Sequence, residues 1–314
     1  MENLTTTLNG YRLDCEFKDV PIAFVNALRR IVLADIPTVI LNNVQILENT
    51  SSMTNEMLRH RILQIPVNVR PDETGVIRDT VVEIRFLAGA DADREITTDD
   101  FDIAGPRKDI LLRDRDLDLP ILFMRLKGTE SLHVRATLSI ESKNVSQVCV
   151  STFKNHIDPT RRALDRDTWV AEGNDPRVFD AFQYQRSYSV DENGRPNWFD
   201  FTIESIGVMP AKDILRKALE ILQTRIAEFA KVDILREEPG WYRMEMPGET
   251  FTLGELVQKM MYEQSLVDFV SRDVGHPLIP KLIVRFNTKS PPEAVVERFK
   301  TEALALCESV LKSV

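Results

Sequence analysis

The chain has 314 residues, 43% of them apolar and 28% charged, with a formal net charge of −9 and a pI near 5.2. That length exceeds what one hydrophobic core comfortably fills, so two or more domains are expected. The acidic balance argues against a protein whose main task is gripping nucleic acid, and no apolar run is long enough to span a bilayer.

In chain order, the start "MENLTTTLNGYRLD" has no basic region followed by an apolar one, so a cytosol-like compartment is expected rather than secretion. "TTTLNGYRLDCEF" alternates loosely and predicts strand with an Asn-Gly turn inside it. Pro21 to Asp35 predicts a helix, opened by Pro21 and closed by Pro37. "TVILNNVQILEN" is rich in β-branched and aliphatic residues and predicts strand. "TNEMLRHRILQIPV" predicts a short helix with Thr54 as N-cap, Glu56 at its positive end and Pro66 as its stop.

From Pro71 to about Pro196 the character changes. "VVEIRFLA" and "SLHVRATLSI" alternate as strands do, with the acidic loops "DADRE", "TTDD" and "RDRDLD" between them. Asp158 to Asn197 is polar, carries the turn signals "GNDP" and "DENGRPN", and is expected to be loop-rich. In "WFDFTIESIG", Phe199, Phe201 and Ile203 alternate with Asp200, Thr202 and Glu204, which predicts a half-buried strand. After Pro210 a long helix is expected to about Leu235, with Leu215, Ala218, Leu219, Leu222, Ile226 and Phe229 on one face. "EEPG" marks a boundary. Then "WYRMEMPGETFTLGELVQKMMYEQ" predicts a strand and a helix starting near Thr252, and "KLIVRFNT" another strand. Ser290 and two prolines open a final amphipathic helix with Val295, Val296, Phe299, Ala303, Leu306 and Val310 on its apolar side.

Both ends of the chain thus follow one recipe of strand, short helix, strand and long helix. "FVNALRRIVL" from Phe24 aligns in residue class with "LGELVQKMMY" from Leu253: Asn26 faces Glu255, Arg29 faces Gln258, Arg30 faces Lys259 and Ile31 faces Met260. Two similar units in one chain suggest a fused version of a two-fold dimer.

Chemistry-bearing constellations are sparse. His60, His133, His156 and His276 form no HxxxH or HExxH pattern, and Cys15, Cys149 and Cys307 stand far apart with no CxxC pair. No metal site, disulfide framework, cofactor or Gly-rich phosphate loop is read from the sequence. In "DILLRDRDLDLP", Asp114 and Asp116 could hold magnesium with one attacking phosphate, the reading of a phosphotransferase; alternating carboxylates on a wet face are the plainer reading. The predicted first helix is apolar around most of its circumference, through residues such as Leu28 and Val32, and Asn26, Arg29 and Arg30 form its narrow basic stripe. That stripe fits a protein contact, a solvated face or a phosphate grip; the acidic whole disfavours the last.

At this point the residues point to a family. "NALRRIVLADIPTVILNNVQILENTSSMTNEMLRHRILQIPV" resembles the signature of the alpha-type subunits of RNA polymerase, including the Glu56, His60-Arg61 and Ile65-Pro66 positions. "FDFTIESIGVMPAKDILRKALEIL" resembles the strand-turn-helix that returns to their dimerisation unit. "ETFTLGELVQKMMYEQSLVDFVSRDVGHPLIPKLIVRFNT" resembles the small partner of that unit, normally a separate chain. There "HTLGN" is replaced by Phe251-Thr252-Leu253-Gly254-Glu255, and "HPL" is His276-Pro277-Leu278. The resemblance covers most of the chain outside roughly residues 158–197, and the joining of the two partners resembles the polymerases of large DNA viruses. The zinc-binding cysteine quartet of the eukaryotic third-largest subunit is missing from the sequence.

The resemblance implies an α+β fold in which both chain ends build an alpha-like dimerisation unit of mixed sheet and long helices, with a β-rich inserted domain. The expected divisions are 1–41 with 197–238 for the dimerisation domain, 42–196 for the insertion, and 239–314 for the domain like the eleventh subunit. The implied function is a non-catalytic assembly subunit of a DNA-directed RNA polymerase, docking the largest and second-largest subunits, with a small tenth-subunit-like protein as a further candidate partner, no sequence-specific nucleic-acid binding and no membrane. Its location would be host cytoplasm or nucleus, or the virion. The implied interface residues are Asn26, Leu28, Arg29, Arg30, Val32, Glu56, Arg61, Leu253, Gly254, Leu256, Lys259, Met260 and His276, with Arg30 facing the second-largest subunit. A magnesium phosphotransferase and an interaction scaffold outside transcription are the alternatives.

Overall fold

The computed structural model describes residues 1–314 except 88, 90–92, 143–147 and 277. The chain opens with an antiparallel hairpin, β1 (Glu2–Thr7) and β2 (Arg12–Lys18). Its turn needs left-handed backbone at Asn9 (φ 55°) and Gly10 (φ 91°), which is why Asn-Gly sits there. There follow α1 (Ile22–Ala34), β3 (Thr38–Asn49), α2 (Asn55–Leu63) and α3 (Thr74–Asp79). The middle of the chain supplies β4 (Val81–Phe86), β5 (Arg94–Thr97), β6 (Asp102–Ala104), β7 (Leu122–Leu126), β8 (Leu132–Glu141) and β9 (Cys149–Asn155). Helices α4 (Pro159–Ala171) and α5 (Pro176–Val178) precede β10 (Trp198–Ser205) and α6 (Ala211–Phe229). The C-terminal part holds β11 (Leu235–Glu238), β12 (Trp241–Pro247), α7 (Phe251–Glu263), β13 (Phe269–Asp273), β14 (Lys281–Asn287) and α8 (Pro292–Leu311).

By packing the chain forms two units. The first gathers Met1–Val32, Ser151–Ile203 and Leu215–Val314. It holds two four-stranded sheets, ordered β1-β2-β10-β9 and β11-β12-β14-β13. On the first sheet Leu13, Cys15 and Phe17 of β2 and Phe199, Phe201 and Ile203 of β10 all point inward and are nearly fully buried. Phe17 is the hub, edge-on to Phe24 of α1 at 6.3 Å and to Phe201 at 5.4 Å. Each such buried ring contributes about 1.5–3 kcal/mol of transfer free energy. On the second sheet Met244, Leu282, Val284 and Phe286 are fully buried, with α7 packed against β14, and Phe299 of α8 meets Phe229 of α6 edge-on at 5.9 Å. That ring pair joins the N-terminal and C-terminal halves inside one core.

The second unit is Leu33–Val150 with Glu204–Ile214. Its sheet runs β3-β8-β4-β6, beside the pair β5-β7. Leu41, Leu58, Ile62, Ile84, Phe123 and Val134 lie in its core. Thr54 caps α2 by accepting from the Met57 amide, as its position before the helix predicts. This division differs from the expected insertion of 42–196: residues 151–203 pack with the first unit because β9 pairs with β10.

Two sequence expectations need correction. Residues 158–197 are not chiefly loop: Asp158 caps α4, accepting from the Thr160 and Arg161 amides, with Pro159 at the first helical position. The long helix stops at Phe229, not near Leu235, which instead opens the exposed strand β11. "DADRE" includes residues 91 and 92, which lie outside the described residues.

Candidate subunit interface

The proposed internal repeat is visible in burial. Phe24, Val25, Ala27, Leu28, Ile31 and Val32 of α1 are buried, and so are their aligned counterparts Leu253, Gly254, Leu256, Val257, Met260 and Met261 of α7. The polar positions between them, Asn26 and Arg29 on one helix and Glu255 and Gln258 on the other, are half-buried. So each helix turns one wide apolar face to a core and keeps a narrow polar stripe, as the three-four spacing requires.

The stripes are tied down differently. Arg29 donates from Nε and Nη2 to Oδ1 of Asn26, at 3.2 and 3.0 Å, so this pair is satisfied within α1. Arg30 is exposed, yet its Nε donates across to Oγ1 of Thr252 on α7 at 2.8 Å. On α7, Glu255 pairs with Arg272 of β13, whose guanidinium also lies 5.5 Å from the Phe251 ring centre. At Gly254 α7 comes close to its sheet: a Cβ there would meet Cδ1 of the buried Leu282 at 2.6 Å.

Two further ion pairs connect the halves. Arg225 of α6 pairs with Glu249, just ahead of α7, at 3.1 Å, and their side chains are only 17% and 13% exposed. Arg195 pairs with Glu263 of α7 at 3.2 Å. Beside that pair Pro21, Ile22, Lys259 and Tyr262 line a cleft of about 480 Å³ at the start of α1. Sequence reasoning found Lys259 but missed Thr252, Arg225, Glu249, Arg195 and Glu263. An ion pair between distant residues leaves no periodic signal, and only the basic and acidic residue types themselves hinted at it.

The remaining expected interface residues lie on other elements. Glu56 and Arg61 are exposed on α2 of the second unit, where Arg61 donates to the Leu122 carbonyl at 3.5 Å. His276 is exposed, its Nδ1 accepting from the Leu278 amide at 3.2 Å, and Leu278 and Ile279 stand 84% and 70% exposed. Pro277 of the same motif lies outside the described residues. Asp114 closes a turn, its Oδ1 accepting from the Asp116 and Leu117 amides. Asp116 pairs with Arg115 and Asp118 with Arg113. Carboxylates used this way build a solvated turn, and the phosphotransferase reading gains no support from them.

Comparison with known proteins places this geometry in context. Residues 15–226 match the model of the RNA polymerase Rpb3/Rpb11 dimerisation domain, and residues 242–313 match a second model of the same description. The chain is similar to the DNA-directed RNA polymerase II subunit RPB3 of Schizosaccharomyces pombe, at 25% identity over 72% of this chain and 85% of that protein. It is similar to the DNA-directed RNA polymerase subunit Rpo3 of Natronomonas pharaonis, at 25% identity over 67% of this chain and 89% of the relative. A shorter stretch of 51 residues is 47% identical to Rpo3 of Methanocaldococcus jannaschii, over 16% of this chain and 27% of that one.

Proposed function

This chain belongs to the RNA polymerase Rpb3/Rpb11 dimerisation-domain family, and from that premise we propose that it is the assembly subunit of a multisubunit DNA-directed RNA polymerase. One observation carries the reading: two dimerisation-domain matches occur in one polypeptide, and parts of the first, 15–32, 151–203 and 215–226, pack in the same unit as the second. The internal pairing supplies a preformed two-helix platform, with α1 and α7 held together through Arg30 and Thr252. The platform binds and orients the largest and second-largest subunits; the chemistry of nucleotide addition belongs to them, and no residue of this chain enters it. The chain resides where its polymerase resides, in host cytoplasm or nucleus, and in the virion for a viral enzyme.

Arg30 is the local test. One guanidinium nitrogen is spent on Thr252, and the exposed remainder is offered to a carboxylate of the second-largest subunit. Arg30→Ala should weaken capture of that subunit by about 2–5 kcal/mol, the usual cost of breaking a charge-assisted pair at an interface. Thr252→Val removes the internal bond and keeps the guanidinium, so capture should persist. Equal capture by both variants and the unaltered chain would remove Arg30 from the interface. Affinity isolation of the chain from its native source, with mass spectrometry of what accompanies it, tests the wider reading. A chain recovered alone, without polymerase subunits, overturns it.

A further inference from the structure

The outer face of the β1-β2-β10-β9 sheet carries a side-chain cluster that the platform does not use. Glu16 on β2, Asp200 on β10 and His156, just past β9, come from three neighbouring strands, and one donor atom of each lies within 4.8 Å of the others. Alternation explains the meeting: the residues flanking them, Cys15, Phe17, Phe199 and Phe201, all point to the core, so these three point away from it. His156 Nδ1 donates to Asp200 Oδ1 at 2.6 Å. Its ring stacks on Trp198 at 3.9 Å, with 14° between the planes. Trp198 in turn donates to Oε2 of Glu16 at 3.0 Å, and Asn3 holds Oε1 at 3.0 Å. Ring and carboxylates are therefore half-buried and oriented by neighbours before any ligand arrives.

The geometry points to a binding site for a single divalent transition-metal ion of the zinc class, with His156, Asp200 and Glu16 as its protein ligands. One imidazole and two carboxylates form a donor set that suits zinc, which takes nitrogen and oxygen at about 2.0–2.2 Å and leaves a fourth position to water. Tetrahedral ligands at that bond length stand roughly 3.3 Å apart. The His156–Asp200 pair has to open from 2.6 Å, and the remaining donors have to close from within 4.8 Å. Both are side-chain adjustments on fixed strands. The incoming ion takes the place of the proton now held between His156 Nδ1 and Asp200; that proton passes to solvent while the other ring nitrogen carries one, so the bound ligand is a neutral imidazole. Lys154 opposes the site, its ammonium lying 3.5 Å from Oδ2 of Asp200, and this makes a variant with the opposite sign available.

Titration of the full chain with Co²⁺ and with Zn²⁺ tests the assignment, followed by Co²⁺ d–d absorption, calorimetry and Trp198 fluorescence. One ion per chain should bind, with a tetrahedral or five-coordinate Co²⁺ spectrum displaced by Zn²⁺. His156→Ala, Asp200→Asn and Glu16→Gln should each weaken binding at least tenfold, as losses of ligands or of their oriented partners do. Lys154→Met should strengthen it. Thermal melts without metal confirm that each variant is folded. A ligand variant that binds as the unaltered chain does, or a Lys154→Met chain that binds no more tightly, overturns the assignment, and so does the absence of any binding.

Discussion

Arg225 sits on α6 and Glu249 ahead of α7, and their ion pair is largely withdrawn from water. A pair in that setting has given up hydration on both sides, so losing one charge leaves the other poorly compensated at a site largely out of water. Glu249→Gln should lower unfolding free energy by about 2–3 kcal/mol, below the cost of stranding a fully buried charge because the pair keeps some exposure. The denaturant midpoint reads it. The thiols behave oppositely, as inert core groups. Burial pushes Cys15, Cys149 and Cys307 up to about 12. The thiolate is the reactive form, so none should react with a thiol-directed disulfide reagent at neutral pH, and all three should react in guanidinium. Fast labelling of the native chain would show that one of these sites opens.

At the scale of elements, α7 illustrates a glycine chosen for contact rather than for backbone freedom. Alanine at Gly254 would gain about 1 kcal/mol of helix propensity. It would also drive a methyl group to 2.6 Å from Cδ1 of the fully buried Leu282, so that side chain or the helix would have to shift within the core. Overpacking of this kind costs about 1–3 kcal/mol. Gly254→Ala should therefore destabilise, with a melt to lower temperature; an unchanged or raised melting temperature would mean that the helix can lift off its sheet. Helix α4 shows why part of the fold was hidden from sequence reading. Its half-buried stripe is Arg161, Arg162, Asp165, Arg166 and Trp169, so the helical period is written in charged side chains. Arg162 lies over Tyr184 at 5.1 Å, Arg166 pairs with Asp180, and Trp169 donates to the Asp175 carbonyl. A search for apolar periodicity passes over such a helix. Asp158→Ala should cost it about 1 kcal/mol, seen as faster amide exchange in the first turn of α4 and little change elsewhere. β10, by contrast, was legible because its Phe-Asp-Phe-Thr-Ile alternation is the burial pattern itself. The short strands β5, β6 and β7 were not, since few residues give alternation no room to declare itself.

On the scale of the whole molecule, the pseudo-repeat was readable because α1 and α7 keep the same spacing of buried positions. Its fastenings were not, because Arg30 and Thr252 are 222 positions apart. Those fastenings share a direction. The N-terminal half contributes Arg30, Arg195 and Arg225, and the C-terminal half answers with Thr252, Glu263 and Glu249. The two surfaces are therefore a plug and a socket, not two copies of one shape. Two N-terminal halves brought face to face would set arginine against arginine, and two C-terminal halves would set glutamate against glutamate. Each polypeptide thus satisfies this pairing within itself, arginines on one half and their acceptors on the other.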